Sequence, residues 1–216
     1  MKRKMLGILM MVLLIVGAAS IAVTEQRLTE LENGVLRLHI LANSDSDADQ
    51  MLKLHVRDAL LLQSERWMYN AENAADAEMQ LQQHLPEIKA IAEETLRAYG
   101  SSEKVCVLLC DTEFPVRTYE DVTLPAGIYH ALRVEIGAAE GHNWWCVMYP
   151  SLCVPAAGCN AVSEMSEEFS AGVCDMTANP SKYAVRFKCV EIVRGIRNYA
   201  FEKLTEEIHT EKEDAI

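Results

Sequence analysis

Two adjacent tryptophans, Trp144 and Trp145, follow the turn signal Gly141-His142-Asn143 and open an apolar run that Pro150 interrupts. Neighbouring side chains of a strand point to opposite faces, so a regular strand cannot place both indoles in one core. One ring must lie against a second layer or near the surface. An exposed Trp is a common anchor of binding surfaces, which makes Trp144, Trp145 and the adjoining Asn143 candidates for partner contact.

The same stretch holds the residue types of a thiol nucleophile. His142 stands four residues before Cys146, with Asn143 between them. Such a nucleophile needs a base within hydrogen-bond reach and a group to orient that base, but catalytic members usually come from distant parts of a chain. The plainer reading is a Gly-rich turn with a capping Asn, followed by a strand whose cysteine is packed or bridged.

Lys2, Arg3 and Lys4 precede an uncharged run, Met5 to Val23, whose most apolar part ends in Gly17, Ala18, Ala19 and Ser20. A basic start, an apolar centre and a small-residue end make a secretory signal. Ala18 with Ser20, or Ser20 with Ala22, suits the small positions before a cleavage site. The competing reading is an uncleaved anchor, since a span needs roughly 20 residues. The expected organisation is therefore residues 1–24 as signal peptide or membrane anchor, 25–210 as one exported domain and 211–216 as a charged tail. No cysteine precedes Cys106, which excludes a lipid-modified cysteine at the signal boundary.

Without the leader, 17 basic residues face 32 acidic ones, a net charge of −15. So acidic a surface repels nucleic acid and anionic lipid, leaving the leader as the expected membrane contact. Export permits disulfides, but the seven cysteines are an odd number, so at least one has no partner within the chain. Cys106 and Cys110 are four strand residues apart, about 13 Å, too far for one bridge. There is no Cys-x-x-Cys, no Cys/His set at zinc spacing and no phosphate-loop pattern, so neither a metal nor a cofactor is expected.

Along the chain, Glu25 to Gly34 reads as a polar lead-in. Val35 to Asn43 alternates like a strand, with Leu36, Leu38 and Ile40 on one face and Arg37, His39 and Leu41 on the other. Arg37 and His39 suit an anion but on a half-exposed strand more often face water. Asn43-Ser44-Asp45 forms a polar tip. Ser46 with Asp49 then resembles a capping box that opens a helix over 47–69. Strand ends facing helix N-termini often hold ligands, so Asn43, Ser44 and Asp45 are candidates too; the alternative is that they only turn and cap the chain.

Two helices are predicted over 75–84 and 86–99, separated at Pro86, and a central strand over 104–111. Pro115 suits an edge strand over 114–122. Tyr129 to Ile136 alternates and should lead, as an antiparallel meander, into the Trp-Trp strand. Residues 154–178 are small, polar and poorly periodic, a predicted loop. Asn179-Pro180 starts a helix with a cap and a proline at its first position. The fold class is α+β: a mostly antiparallel sheet with helices packed on it.

Several blocks resemble the stage II sporulation protein R family. They are Leu36-Arg-Leu-His-Ile-Leu-Ala-Asn43-Ser44-Asp45-Ser46 with Asp49-Gln50, Lys53 and Val56-Arg57-Asp58; Leu124-Pro-Ala-Gly127 through Gly137; Gly141-x-Asn143-Trp144-Trp145-Cys146-Val147 with Leu152-Cys153; and Arg186-Phe187-Lys188-x-Val190-Glu191. Departures are Ala138-Ala139 for a more Gly-rich turn, Tyr149-Pro-Ser151 for Phe-Pro-Pro, and extra cysteines between Val154 and Ala178. The resemblance implies a protein made in the forespore of an endospore-forming bacterium and exported between the two membranes. There it would activate a membrane-embedded aspartic protease of the mother cell, which removes the pro-segment of a sigma factor. It implies no catalytic set. A Cys146–Cys153 bridge is expected because both lie in the family-like block and Pro150 can reverse the chain. The alternative is an exported hydrolase, either a thiol enzyme using Cys146, His142 and Asn143 or a carbohydrate-acting one using Asp45 and Glu140.

Overall fold

The computed structural model describes residues 2–152 and 161–213, with side chains for 3–152 and 161–203. The chain divides into two compact units: Thr29–Ala178, and the two ends, Met1–Leu28 with Asn179–Ile216.

Helix α1 runs Lys2–Gly34. It is long and apolar enough to cross a membrane, and its apolar side chains from Met5 to Val16 are exposed, as befits a signal or an anchor. The polar lead-in expected at 25–34 is the end of this helix, because its charges find partners on α6, Pro180–Glu213. Glu25 lies 2.9 Å from Arg197 and 3.6 Å from Arg194, and the Arg27 guanidinium donates to the Tyr183 hydroxyl. Helix α6 begins at the Asn179-Pro180 signal, with Tyr183 and Val190 buried and Val193 and Ile196 exposed.

The other unit is built on a four-stranded sheet. Its strands are β1 Leu36–Leu41, β2 Val105–Phe114, β5 Gly127–Ile136 and β6 Asn143–Tyr149, in the order β2-β5-β1-β6. β1 pairs parallel with β5 and antiparallel with β6, and β2 pairs antiparallel with β5. The expected meander is therefore interrupted, because β1 lies between β5 and β6. The strand expected to be central, β2, is an edge. β1 takes the middle because all six of its residues are buried. Two short strands, β3 Arg117–Tyr119 and β4 Val122–Leu124, form a separate hairpin in place of the predicted 114–122 strand.

Helices α2, Asp47–Trp67, and α3, Ala74–Ala98, supply the core on one sheet face. Ser46 caps α2 by accepting from the Asp49 N–H, as its spacing foretold. α3 is one helix, not two. Ala77, Leu81, Ile88, Ala92 and Leu96 form one buried stripe across Pro86, and a continuous stripe outweighs the ~3 kcal/mol that an interior proline costs.

Residues 161–178, predicted as loop, form α4, Ala161–Glu168, and α5, Ala171–Ala178. Ala161, Met165, Phe169, Val173 and Met176 are buried at helical spacing, a stripe thinned by the serines and glutamates around it. The rest of that predicted loop, 154–160, lies outside the described residues.

Candidate partner-binding face

The polar tip is a staple between two turns. Asn43 donates through Nδ2 to Asp49 Oδ2 (2.9 Å) and accepts through Oδ1 from the Ala138 N–H (2.9 Å). Ser44 donates its hydroxyl to the same Asp49 oxygen. Asp45 accepts from the His142 N–H and pairs with its ring. The buried Lys53 ammonium donates to the His142 carbonyl at 2.7 Å. Hydrogen bonds from Ser44 and Asn43 hold the Asp49 carboxyl below its ordinary range, and burial pulls Lys53 below the usual lysine value.

Two glycines permit this approach. A Cβ on Gly137, whose φ is +60°, would stand 2.2 Å from Asn43 Oδ1, and one on Gly141 would stand 2.2 Å from the Ser44 carbonyl oxygen. Asn43, Ser44 and Asp45 thus fasten the β1–α2 turn to the β5–β6 turn.

The second candidate set lies on the sheet face away from α2 and α3. Strand register lines up Leu108, Arg133, His39 and Trp145 in one cross-strand row, with Cys110, Ala131, Arg37 and Val147 in the next. Arg37 and His39 do not face water: they are 0% and 4% exposed. Aromatic residues from other strands cover them. The Arg37 guanidinium lies 3.9 Å from the Phe114 ring centroid, 4.8 Å from Tyr129 and 5.7 Å from Tyr119, and donates to the Tyr119 hydroxyl at 2.6 Å. His39 stacks on Trp145 at 3.9 Å, and its Nε2 stands 2.7 Å from Asn143 Oδ1. With a carbonyl oxygen opposite, Nε2 carries the proton and Nδ1 is a bare acceptor, buried and without a partner among the described residues. Burial lowers both the Arg37 and the His39 pKa, the Asn143 bond opposing it at His39.

The two tryptophans part as strand geometry requires. Trp144 packs with the helix-side core beneath the Arg57 guanidinium, 4.3 Å from its ring centroid, and Trp145 joins the other face. Both are half-buried. Arg133, within the row, and Glu135 beside it form a 2.8 Å ion pair whose angle makes no hydrogen bond of it. Phe114, Tyr119 and Tyr129, which shape this face, were not singled out by sequence; the one available signal was the alternation that put Tyr129 on the Arg133 face.

The thiol constellation does not assemble. Cys146 is fully buried on the helix side and disulfide-bonded. Asn143 is committed to His39 on the opposite face, and the exposed His142 pairs with Asp45. A bonded sulfur is no nucleophile. The Cys146–Cys153 pairing involves Cys153, which lies outside the described residues. Cys106, Cys110, Cys174 and Cys189 are free thiols.

Comparison with known proteins places these features. The sequence model of the stage II sporulation protein R family matches residues 32–158, from the end of α1 through the staple, the sheet and both tryptophans. The likeness at Arg186 to Glu191 lies beyond that range. The Stage II sporulation protein R of Bacillus subtilis (strain 168) is 39% identical over 130 residues, covering 60% of this chain and 58% of that protein. The chain thus matches a little over half the length of that curated relative. No solved structure matches. With a family match spanning more than half its residues, the chain belongs to the stage II sporulation protein R family.

Proposed function

We propose that this chain is an exported sporulation signal which binds and activates a membrane-embedded aspartic protease of the mother cell, leading to cleavage of a sigma-factor precursor. Family membership carries the reading. The apolar N-terminal helix supports delivery out of the forespore by residues 1–24, as signal or anchor, with 25–210 as the exported part. The chain acts as a ligand, not as a catalyst, on this reading. The Trp145 row is its contact surface: an aromatic flanked by polar groups, the composition of an interface core with its rim.

Co-production of the chain with the protease and the precursor in a non-sporulating host tests the proposal. Precursor cleavage that requires the chain is the expected result; cleavage unaffected by it counts against the reading. Trp145→Ala should weaken activation about thirtyfold if the anchor contributes ~2 kcal/mol. Wild-type activity from a folded Trp145→Ala protein would remove this row as the contact.

A further inference from the structure

Arg37 presents a physical problem that stability does not solve. Its guanidinium is fully buried, and its Nε and Nη1 have no hydrogen-bond partner among the described residues. No carboxylate among the described residues pairs with it, although the chain carries 32 acids against 20 bases. Burying an unpaired charge costs several kcal/mol, and an apolar residue of similar volume is often as stable or more so. Aromatic faces return part of that cost.

The surroundings suggest what the charge is for. Phe114 and Tyr129 are buried beside it, whereas Tyr119 is half-buried on a three-residue strand whose other residues, Arg117 and Thr118, are exposed. Tyr119 bonds Nη2, the nitrogen that both forks of a guanidinium use to grip a carboxylate. Arg117 is close enough to lower the Arg37 pKa and has no ion pair among the described residues. Two arginines unpaired with any acid among the described residues thus lie near one another in an acidic protein.

We propose that Arg37 is a carboxylate-binding site closed by Tyr119, and that its occupant is an acidic residue of the protein partner. The β3–β4 hairpin is the cover. Moving Tyr119 aside exposes the fork, and Arg117 at the mouth attracts the incoming acid. The identity of the occupant rests on the ligand role proposed above; the anion site itself does not.

Full-length protein in detergent micelles, labelled with ¹⁵N in its arginine side chains, is titrated with acetate against chloride at constant ionic strength. Saturable movement of the Arg37 Nε–H signal with acetate alone is expected. Tyr119→Phe, which frees Nη2, should bind acetate about tenfold more tightly. Arg37→Met should lose the response yet unfold at no lower urea concentration, and should fail to promote precursor cleavage. Absence of a saturable response in both the parent and Tyr119→Phe overturns the site, and this arm needs no Arg37 variant to fold. Acetate binding together with full signalling by Arg37→Met overturns the partner's acid as occupant. If the parent protein itself promotes no cleavage, the proposed function fails while the acetate result still decides the anion site.

Discussion

Gly141→Ala tests the staple between the two turns. The added methyl would sit 2.2 Å from the Ser44 carbonyl oxygen, 2.6 Å from its carbon and 3.0 Å from the Ala42 Cβ. The first two are backbone atoms and cannot swing away as a side chain would. Either the β5–β6 turn or the β1–α2 turn must retreat, stretching the 3.0 Å bond from the Gly141 N–H to the Ala42 carbonyl. Overpacking of this kind costs about 1–3 kcal/mol. For a protein of this size, 2 kcal/mol corresponds to a fall in melting temperature of roughly 4–8 °C. Trp67, Trp144 and Trp145 are the chain's three tryptophans and all lie in the Thr29–Ala178 unit, so fluorescence-detected urea unfolding reports this unit alone. Because Gly141 stands two residues before Asn143, activation should fall as well. A Gly141→Ala protein with an unchanged urea midpoint would refute the close approach on which the staple rests.

Two further outcomes follow from buried groups. Burial depresses the His39 pKa in the fold, so the unfolded chain binds the proton more readily. Stability is then held above pH ~6.5 and falls as the pH drops below it; His39→Gln should flatten that fall in urea midpoints measured at a series of pH values. The proposed Cys146–Cys153 bridge should stabilise the unit by about 2–3 kcal/mol on the entropic view. A linked peptide from non-reduced protein would be its signature, and a different partner for Cys146 would exclude the pairing.

How much of this was legible in the sequence depended on the range of the interactions involved. The Ser46 cap, the start of α6 at Asn179-Pro180 and the parting of Trp144 from Trp145 are local and were read correctly. The insertion of β1 between β5 and β6 is set by pairing with residues far along the chain, and no local period records it. The period-2 pattern of β1 placed Arg37 and His39 on the polar, water-facing side. Phe114, Tyr129 and Trp145, brought from three other strands, cover that side instead. At Pro86 the residue-level rule for proline lost to a five-residue buried stripe. The tip was read as a turn or as a ligand site, and its hydrogen bonds to Asp49, Ala138 and His142, two of them from distant residues, were beyond any local pattern.

The strand order also dictates when the sheet can close. β1 is the first strand made and an inner strand of the finished sheet. Its neighbours are residues 131–135 on one side and 143–149 on the other, roughly a hundred positions later, and such distant pairings form slowly. A chain emerging N-terminus first, from a ribosome or through a translocon, therefore keeps one edge of Leu36–Leu41 bare until Glu135 has appeared and the other until Tyr149 has. Proteases and chaperones can reach the strand throughout that interval. A product truncated before Asn143 never seals it, and carries a permanent open edge at the centre of what should have been its core.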